Sequence, residues 1–133
     1  MIDHKDVSTV VIARVGDSIL EVSRILRDTR ARHLVVIDQH DAPVGIISSV
    51  DINNRVVAEE KDAKSLKAQE IMTPNIDVID MEEDTYEQAY EKMINRSTYS
   101  IPITKQGKLL GMLEFTKCIQ RLAQKQHDPN TKH

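Results

Sequence analysis

Short β-branched runs alternate with stretches of helical spacing along this chain. Thr9-Val10-Val11-Ile12 predicts a strand, because β-branched residues fit a pleated, half-buried surface. Asp17-Ser18 carries N-cap chemistry, and Ile19, Val22, Ile25 and Leu26 behind it keep the spacing of one helix face. Leu34-Val35-Val36-Ile37 reads as a strand apolar on both faces. Asp41-Ala42-Pro43 supplies a turn, and Val44-Gly45-Ile46-Ile47 returns as the hairpin partner. A second helix is expected from about Val50 to Glu60.

The same order then recurs. Tyr86, Ala89, Tyr90, Met93 and Ile94 form one apolar stripe at helical spacing. Ser100-Ile101-Pro102-Ile103 and Leu109-Leu110-Gly111-Met112-Leu113 are strands joined across Gln106-Gly107, and a last helix carries Phe115, Cys118, Ile119 and Leu122. Laid over itself, the chain matches Asp17 to Asp84 and Val36 to Ile103. Gly45 then matches Gly111, with the offset shorter by one residue across the hairpin loop. The reading is an α+β (mixed α/β) chain of two β-α-β-β-α repeats, spanning 7–62 and 63–123. Between them, residues 58–69 are charged and poor in β-branched residues, so this linker is expected to be helical or loose. Pro74 stops any helix in Glu70-Ile71-Met72-Thr73-Pro74-Asn75. Residues 124–133 hold no apolar anchor and are expected to be a disordered tail.

Composition narrows the class. A chain of 133 residues buries roughly two-thirds of its unfolded surface. With 3% aromatic residues and no Trp, the core must be aliphatic. The single Cys118 has no internal disulfide partner, as expected of a reducing compartment. No basic-then-apolar leader opens the chain and no apolar run approaches a membrane span, so the expected location is the cytoplasm. A net charge of −3 and scarce aromatics argue against nucleic acid as a partner.

Three stretches make the chain resemble the CBS-domain pair, or Bateman module. They are Glu70-Ile71-Met72-Thr73-Pro74-Asn75, Ile101-Pro102-Ile103 and Gly45-Ile46-Ile47-Ser48-Ser49-Val50-Asp51-Ile52. The resemblance covers about residues 7 to 123. It implies two repeats packed about a pseudo-twofold axis, chains that often pair into a homodimer, and no catalytic activity. It also implies an adenosine-containing ligand held in the cleft between repeats and signalled to an effector protein, here unknown. The family's cleft motif is Gly, two apolar residues, Ser or Thr, two of any kind, then Asp; Gly45, Ile46, Ser48 and Asp51 match it.

The chemistry suits such a ligand. A carboxylate accepts paired hydrogen bonds from ribose hydroxyls, and Ser48 sits near a helix N-terminus that favours phosphate. Arg32 and His33 stand where the resemblance places phosphate contacts, and Thr98, Tyr99 and Ser100 where it places the base side. The regulatory ligand implied is AMP, ADP, ATP or S-adenosylmethionine, with no obligatory cofactor. The second repeat departs from the motif: Glu114 replaces the hydroxyl and Lys117 the carboxylate. Lysine has no acceptor for ribose hydroxyls, so one functional site per chain is expected.

Other readings of the same residues stay open. Ser48-Ser49-Val50-Asp51 also has the form of a capping box. Arg24 and Arg27 fit a solvated helix face, and Asp80, Glu82, Glu83, Asp84 and Glu87 fit the acidic start of a helix better than a metal cluster. No nucleophile and base stand at recognisable spacing. The alternative function is a homodimeric scaffold that binds no nucleotide.

Overall fold

The computed structural model describes residues 1–127. The chain forms two compact units. One is Val10–Ile76; the other joins Met1–Thr9 to the chain from Asp77 onward.

In the first unit the order is β1 (Ile12–Arg14), α1 (Ile19–Thr29), β2 (His33–Ile37), β3 (Pro43–Ser48), α2 (Ser49–Ile52), α3 (Ala68–Ile71) and β4 (Thr73–Pro74). Its sheet runs β1-β2-β3-β4, with β1 and β2 parallel and the other pairs antiparallel. Strand β1 lies further along the chain than the run Thr9–Ile12 suggests. Its pairing with β2 runs to Arg14 opposite Ile37, and only Ala13 turns fully inward. Helix α1 starts where Ser18 accepts a hydrogen bond from the Glu21 amide, and it buries Ile19, Val22 and Leu26. These pack on Leu34, Val36 and Ile47 of the sheet and on Ala68 and Ile71 of α3.

The second helix of this repeat is shorter than Val50–Glu60. After one turn it widens into a π turn, Asn53–Val57, in which the Ala58 amide reaches back to the Asn53 carbonyl. The wider turn sends Val56 into the core and leaves Val57 exposed. Residues 58–67 are turns rather than helix. They are not loose, because the amides of Ile19 and Leu20 donate to the carbonyls of Leu66 and Ala63, while Ala68 N–H donates to Asp17.

The second unit carries β5 (Ile79–Asp80), α4 (Tyr86–Arg96), β6 (Ser100–Lys105), β7 (Lys108–Glu114) and α5 (Phe115–His127). Its sheet is β5-β6-β7, parallel then antiparallel. The two hairpins share their irregularity: the register shifts between Val36 and Ile37 in one and between Ile103 and Thr104 in the other. Helix α4 opens on a Thr85–Gln88 capping box and buries Ala89 and Met93. Its apolar stripe ends there, since Ile94 is 50% exposed. Cys118 is buried and donates from Sγ to the Tyr86 carbonyl; burial, then the Glu87 charge, push its thiol up to about 11, so it is inert packing. Helix α5 runs on to His127, where residues from 124 were expected to be disordered, with Lys125 paired to Glu87 of α4. Residues 128–133 of that expected tail lie outside the described residues. Among the described residues no helix is long and apolar enough to cross a membrane.

Each hairpin is crossed by a segment from elsewhere in the sequence. In the first unit Thr73 and Pro74 pair with Ile46 and Gly45. In the second, Ser8 exchanges two backbone hydrogen bonds with Met112, at 2.8 and 3.0 Å. The hairpin glycines make room for these segments. A Cβ on Gly45 would overlap the Met72 side chain, and one on Gly111 would lie 2.5 Å from the Ser8 carbonyl oxygen. Overpacking against backbone has no flexible way out, so Gly111→Ala is expected to cost about 2 kcal/mol. Gly16, with open space around its Cβ position, is the control. Urea denaturation should show a lowered midpoint for Gly111→Ala and an unchanged one for Gly16→Ala.

Candidate functional site

The end of the β2–β3 hairpin gathers four of the expected residues. Strand register sets His33 opposite Ser48, and the Ser49 amide donates to the Arg32 carbonyl at 3.0 Å. Ser48 closes β3 and is the N-cap of α2. Its Oγ accepts from the Asp51 amide at 3.1 Å, while Asp51 Oδ2 accepts from the Ser48 amide at 2.9 Å. The capping box is therefore formed, and it holds the Asp51 carboxylate at the mouth of the helix. Asp51 remains 19% exposed. Arg32 and His33 are exposed, and neither side chain has a bonding partner among the described residues.

Arg55 completes the group, and the sequence reading passed over it. Its Nη2 lies 3.4 Å from Asp51 Oδ1, and its Nη1 donates to the Ile71 carbonyl at 2.7 Å. The four-residue spacing from Asp51 was the available signal. Gly45 and Ile46 stand on β3, opposite Pro74 and Thr73 of the crossing strand. Met72 therefore occupies the space that the missing Gly45 side chain leaves.

Thr98, Tyr99 and Ser100 occupy the corresponding hairpin end of the other unit. There Ser100 pairs with Glu114, and the Phe115 amide donates to the Tyr99 carbonyl at 2.8 Å, repeating the bond from Ser49 to Arg32. Tyr99 is 80% exposed and sets its edge against the Phe115 ring, which stacks on Tyr90. Where the first unit holds Arg32, Ser48 and Asp51, the second has Tyr99, Glu114 and Lys117.

A second polar cluster lies inside the unit built on Met1–Thr9. The Asp6 carboxylate, 3% exposed, accepts from Arg121 Nε at 2.6 Å, from Arg121 Nη2 at 3.2 Å and from the Tyr86 hydroxyl at 2.5 Å. Burial alone would raise the Asp6 pKa; the bonds from Arg121 and Tyr86 outweigh it and hold the carboxyl below the ordinary range. Burial and the bond to Asp6 push the Tyr86 hydroxyl up to about 12. Nothing local in the sequence announces this cluster, which joins residues at opposite ends of the chain. The acidic run is spent on backbone: Asp80 accepts from the amides of Glu82 and Glu83, and Asp84 from that of Asp80. Among the described residues no acidic, histidine or cysteine group could hold a metal ion.

The two matching hairpins, each closed by a crossing segment, agree with what protein-family comparison finds. A family model for the CBS domain matches twice, over residues 5–58 and 68–124. The chain belongs to the CBS domain family. Among curated proteins, a CBS domain-containing protein of Arabidopsis thaliana, CBSCBSPB1, is 24% identical over 102 residues, 77% of this chain. The chain spans only 19% of that relative's length. Among solved structures, the CBS domain pair of protein MJ0100 is similar with a TM-score of 0.70 and 25% identity, over 95% of this chain and 98% of that one. It was solved in complex with 5′-methylthioadenosine and S-adenosyl-L-methionine. The cytosolic domain of the Mg2+ channel MgtE, in complex with ATP, has a TM-score of 0.69 at 21% identity, covering 84% of this chain and 44% of that one.

Proposed function

We propose that this CBS pair is a regulatory module that binds an adenosine-containing ligand at the hairpin end of its first repeat and passes that state to a partner protein. The observation that carries the reading is the Asp51 carboxylate, held at the start of α2 beside Ser48 and partly open to solvent. Asp51 accepts the ribose hydroxyls, and Arg32 and His33, exposed and with no side-chain partner among the described residues, supply a guanidinium and an imidazole N–H for a phosphate or a carboxylate. Gly45 and Ile46 shape the strand beside them. The solved CBS pair that carries S-adenosylmethionine and methylthioadenosine, and the solved MgtE cytosolic domain that carries ATP, support the ligand class. Such a module acts by binding rather than catalysis, and the nucleotides it would read are abundant in the cytoplasm.

One observation favours a second reading. The Asp51 carboxylate already serves the capping box and faces Arg55, which is what a purely structural residue would do. On that reading the chain is a homodimeric scaffold, with exposed Ile94 and Ile119 available for pairing. Thermal unfolding with AMP, ADP, ATP or S-adenosylmethionine separates the two. A ligand at a hundredfold excess over its Kd stabilises the folded chain by about 2.7 kcal/mol, so the midpoint should rise with one of the four. No rise with any of them would favour the scaffold.

A further inference from the structure

We propose that Arg55 couples ligand binding at Asp51 to the segment by which the chain leaves its first repeat. The proposal rests on the reading of Asp51 as a ribose-binding carboxylate. Arg55 lies in the π turn Asn53–Val57, directly behind the capping box. One arm of its guanidinium faces Asp51 Oδ1 at 3.4 Å; the other donates to the Ile71 carbonyl at 2.7 Å. Ile71 ends α3, Met72 packs over Gly45, and Thr73–Pro74 forms β4. The backbone passes into the second unit between Ile76 and Asp77. A single side chain thus spans the candidate ligand acceptor and the exit segment of the repeat.

The two arms are unequal. The Ile71 bond is short, whereas the Asp51 contact is long, and Arg55 is 44% exposed, so its net worth to stability is small. A ribose diol approaching Asp51 needs the oxygen that the capping box leaves over, and that is Oδ1. The diol and the guanidinium compete for it. When the diol takes Oδ1, Arg55 loses its electrostatic anchor and its geometry toward Ile71 is no longer held from two sides. Residues 68–76 then loosen as the site fills.

The second repeat has the same device without the ligand arm. Arg121 stands where Arg55 does, and it holds Asp6 in the segment that leads out of the other unit at Thr9. Four residues before Arg121 stands Lys117, not a carboxylate. That hold cannot be relaxed by a diol, so one crossing segment is responsive and the other constant.

Hydrogen–deuterium exchange with adenosine as the probe tests this, because adenosine brings the diol and no phosphate to attract Arg55 by itself. Saturating adenosine should speed exchange of amides in 68–76 of the wild type severalfold and leave those in 1–9 unchanged. Arg55→Met should exchange fast in 68–76 with or without adenosine and bind adenosine about two- to fivefold more tightly, as expected for removal of a partly exposed competitor. Arg55→Lys, which keeps the charge but not the two-armed fork, should restore the affinity and not the adenosine-dependent change in exchange. Asp51-dependent binding with the same exchange response in wild type and Arg55→Met would overturn the coupling and leave the ligand reading standing. Failure of Asp51→Ala to reduce adenosine binding would overturn both.

Discussion

Replacing Arg121 with methionine should destabilise the protein by about 2–3 kcal/mol while leaving the first repeat's hairpin site intact. The substitution keeps the length and packing of the side chain and removes its charge. Asp6, 3% exposed, would then hold its negative charge with the Tyr86 hydroxyl as its remaining side-chain hydrogen-bond donor among the described residues and the Lys117 charge as a weaker support. An uncompensated buried charge is among the costliest single changes. The expected figure lies below that of a fully buried pair, because Arg121 is itself one-third exposed. The pH dependence gives a second readout. The Asp6 pKa is lowered in the folded protein, so its contribution is complete above the ordinary carboxylate pKa of 3.8 and is lost as pH falls through the depressed value. The gap between wild type and Arg121→Met should therefore be constant through neutral pH and close in strong acid. Urea unfolding followed from pH 8 down into strong acid measures it; a gap that widens in acid would contradict the pairing.

That cluster also marks where sequence reasoning stopped. The hairpin strands, the longer helices and the repeat were legible because each leaves a local period, as Ile19, Val22 and Leu26 do on α1; the two-residue strands β4 and β5 are too short to leave one. The partners of Met1–Thr9 leave none. Ser8 bonds Met112, and Asp6 bonds Arg121, across almost the whole chain. Helix lengths failed for a related reason. The spacing after Val50 is compatible with a continuous helix, and nothing in it marks the π turn at Asn53–Val57. At the candidate site, Ser48 and Asp51 were legible as a motif and as a cap, and the cap is formed. Arg55 was hidden by its second bond, to a main-chain carbonyl that carries no side-chain signature. Gly45 was legible as part of that motif, but the Met72 side chain that fills the space beside it was not.

The second large effect concerns Asp51. Asp51→Ala should lower affinity for an adenosine ligand on the order of a hundredfold or more. Hydrogen bonds to a charged group are worth about 1.5–3 kcal/mol each, and the ribose diol would lose two of them. The same change removes one half of the capping box, at a cost of about 1 kcal/mol in stability. A folded protein with a lost site is therefore the expected product. Ser48→Ala separates the two roles, since it breaks the same cap and leaves the carboxylate in place. Its affinity should fall less than tenfold. Equal losses in the two variants would mean that the cap, rather than the carboxylate, supports binding.

Lys117 makes the comparison sharper. The second repeat has the same hairpin, the same register shift and, from Phe115 to Tyr99, the same bond as from Ser49 to Arg32, yet it lacks the carboxylate. Fold and ligand chemistry are thus separable within one chain, and the proposed function depends on one side chain of the first repeat. Calorimetric titration of AMP, ADP, ATP and S-adenosylmethionine into wild type and Asp51→Ala tests this most directly. The expected result is one site per chain for at least one of the four ligands in wild type, and affinity for that ligand lower by about a hundredfold or more in the folded variant. Undiminished binding by Asp51→Ala, or two sites per chain in wild type, would contradict it.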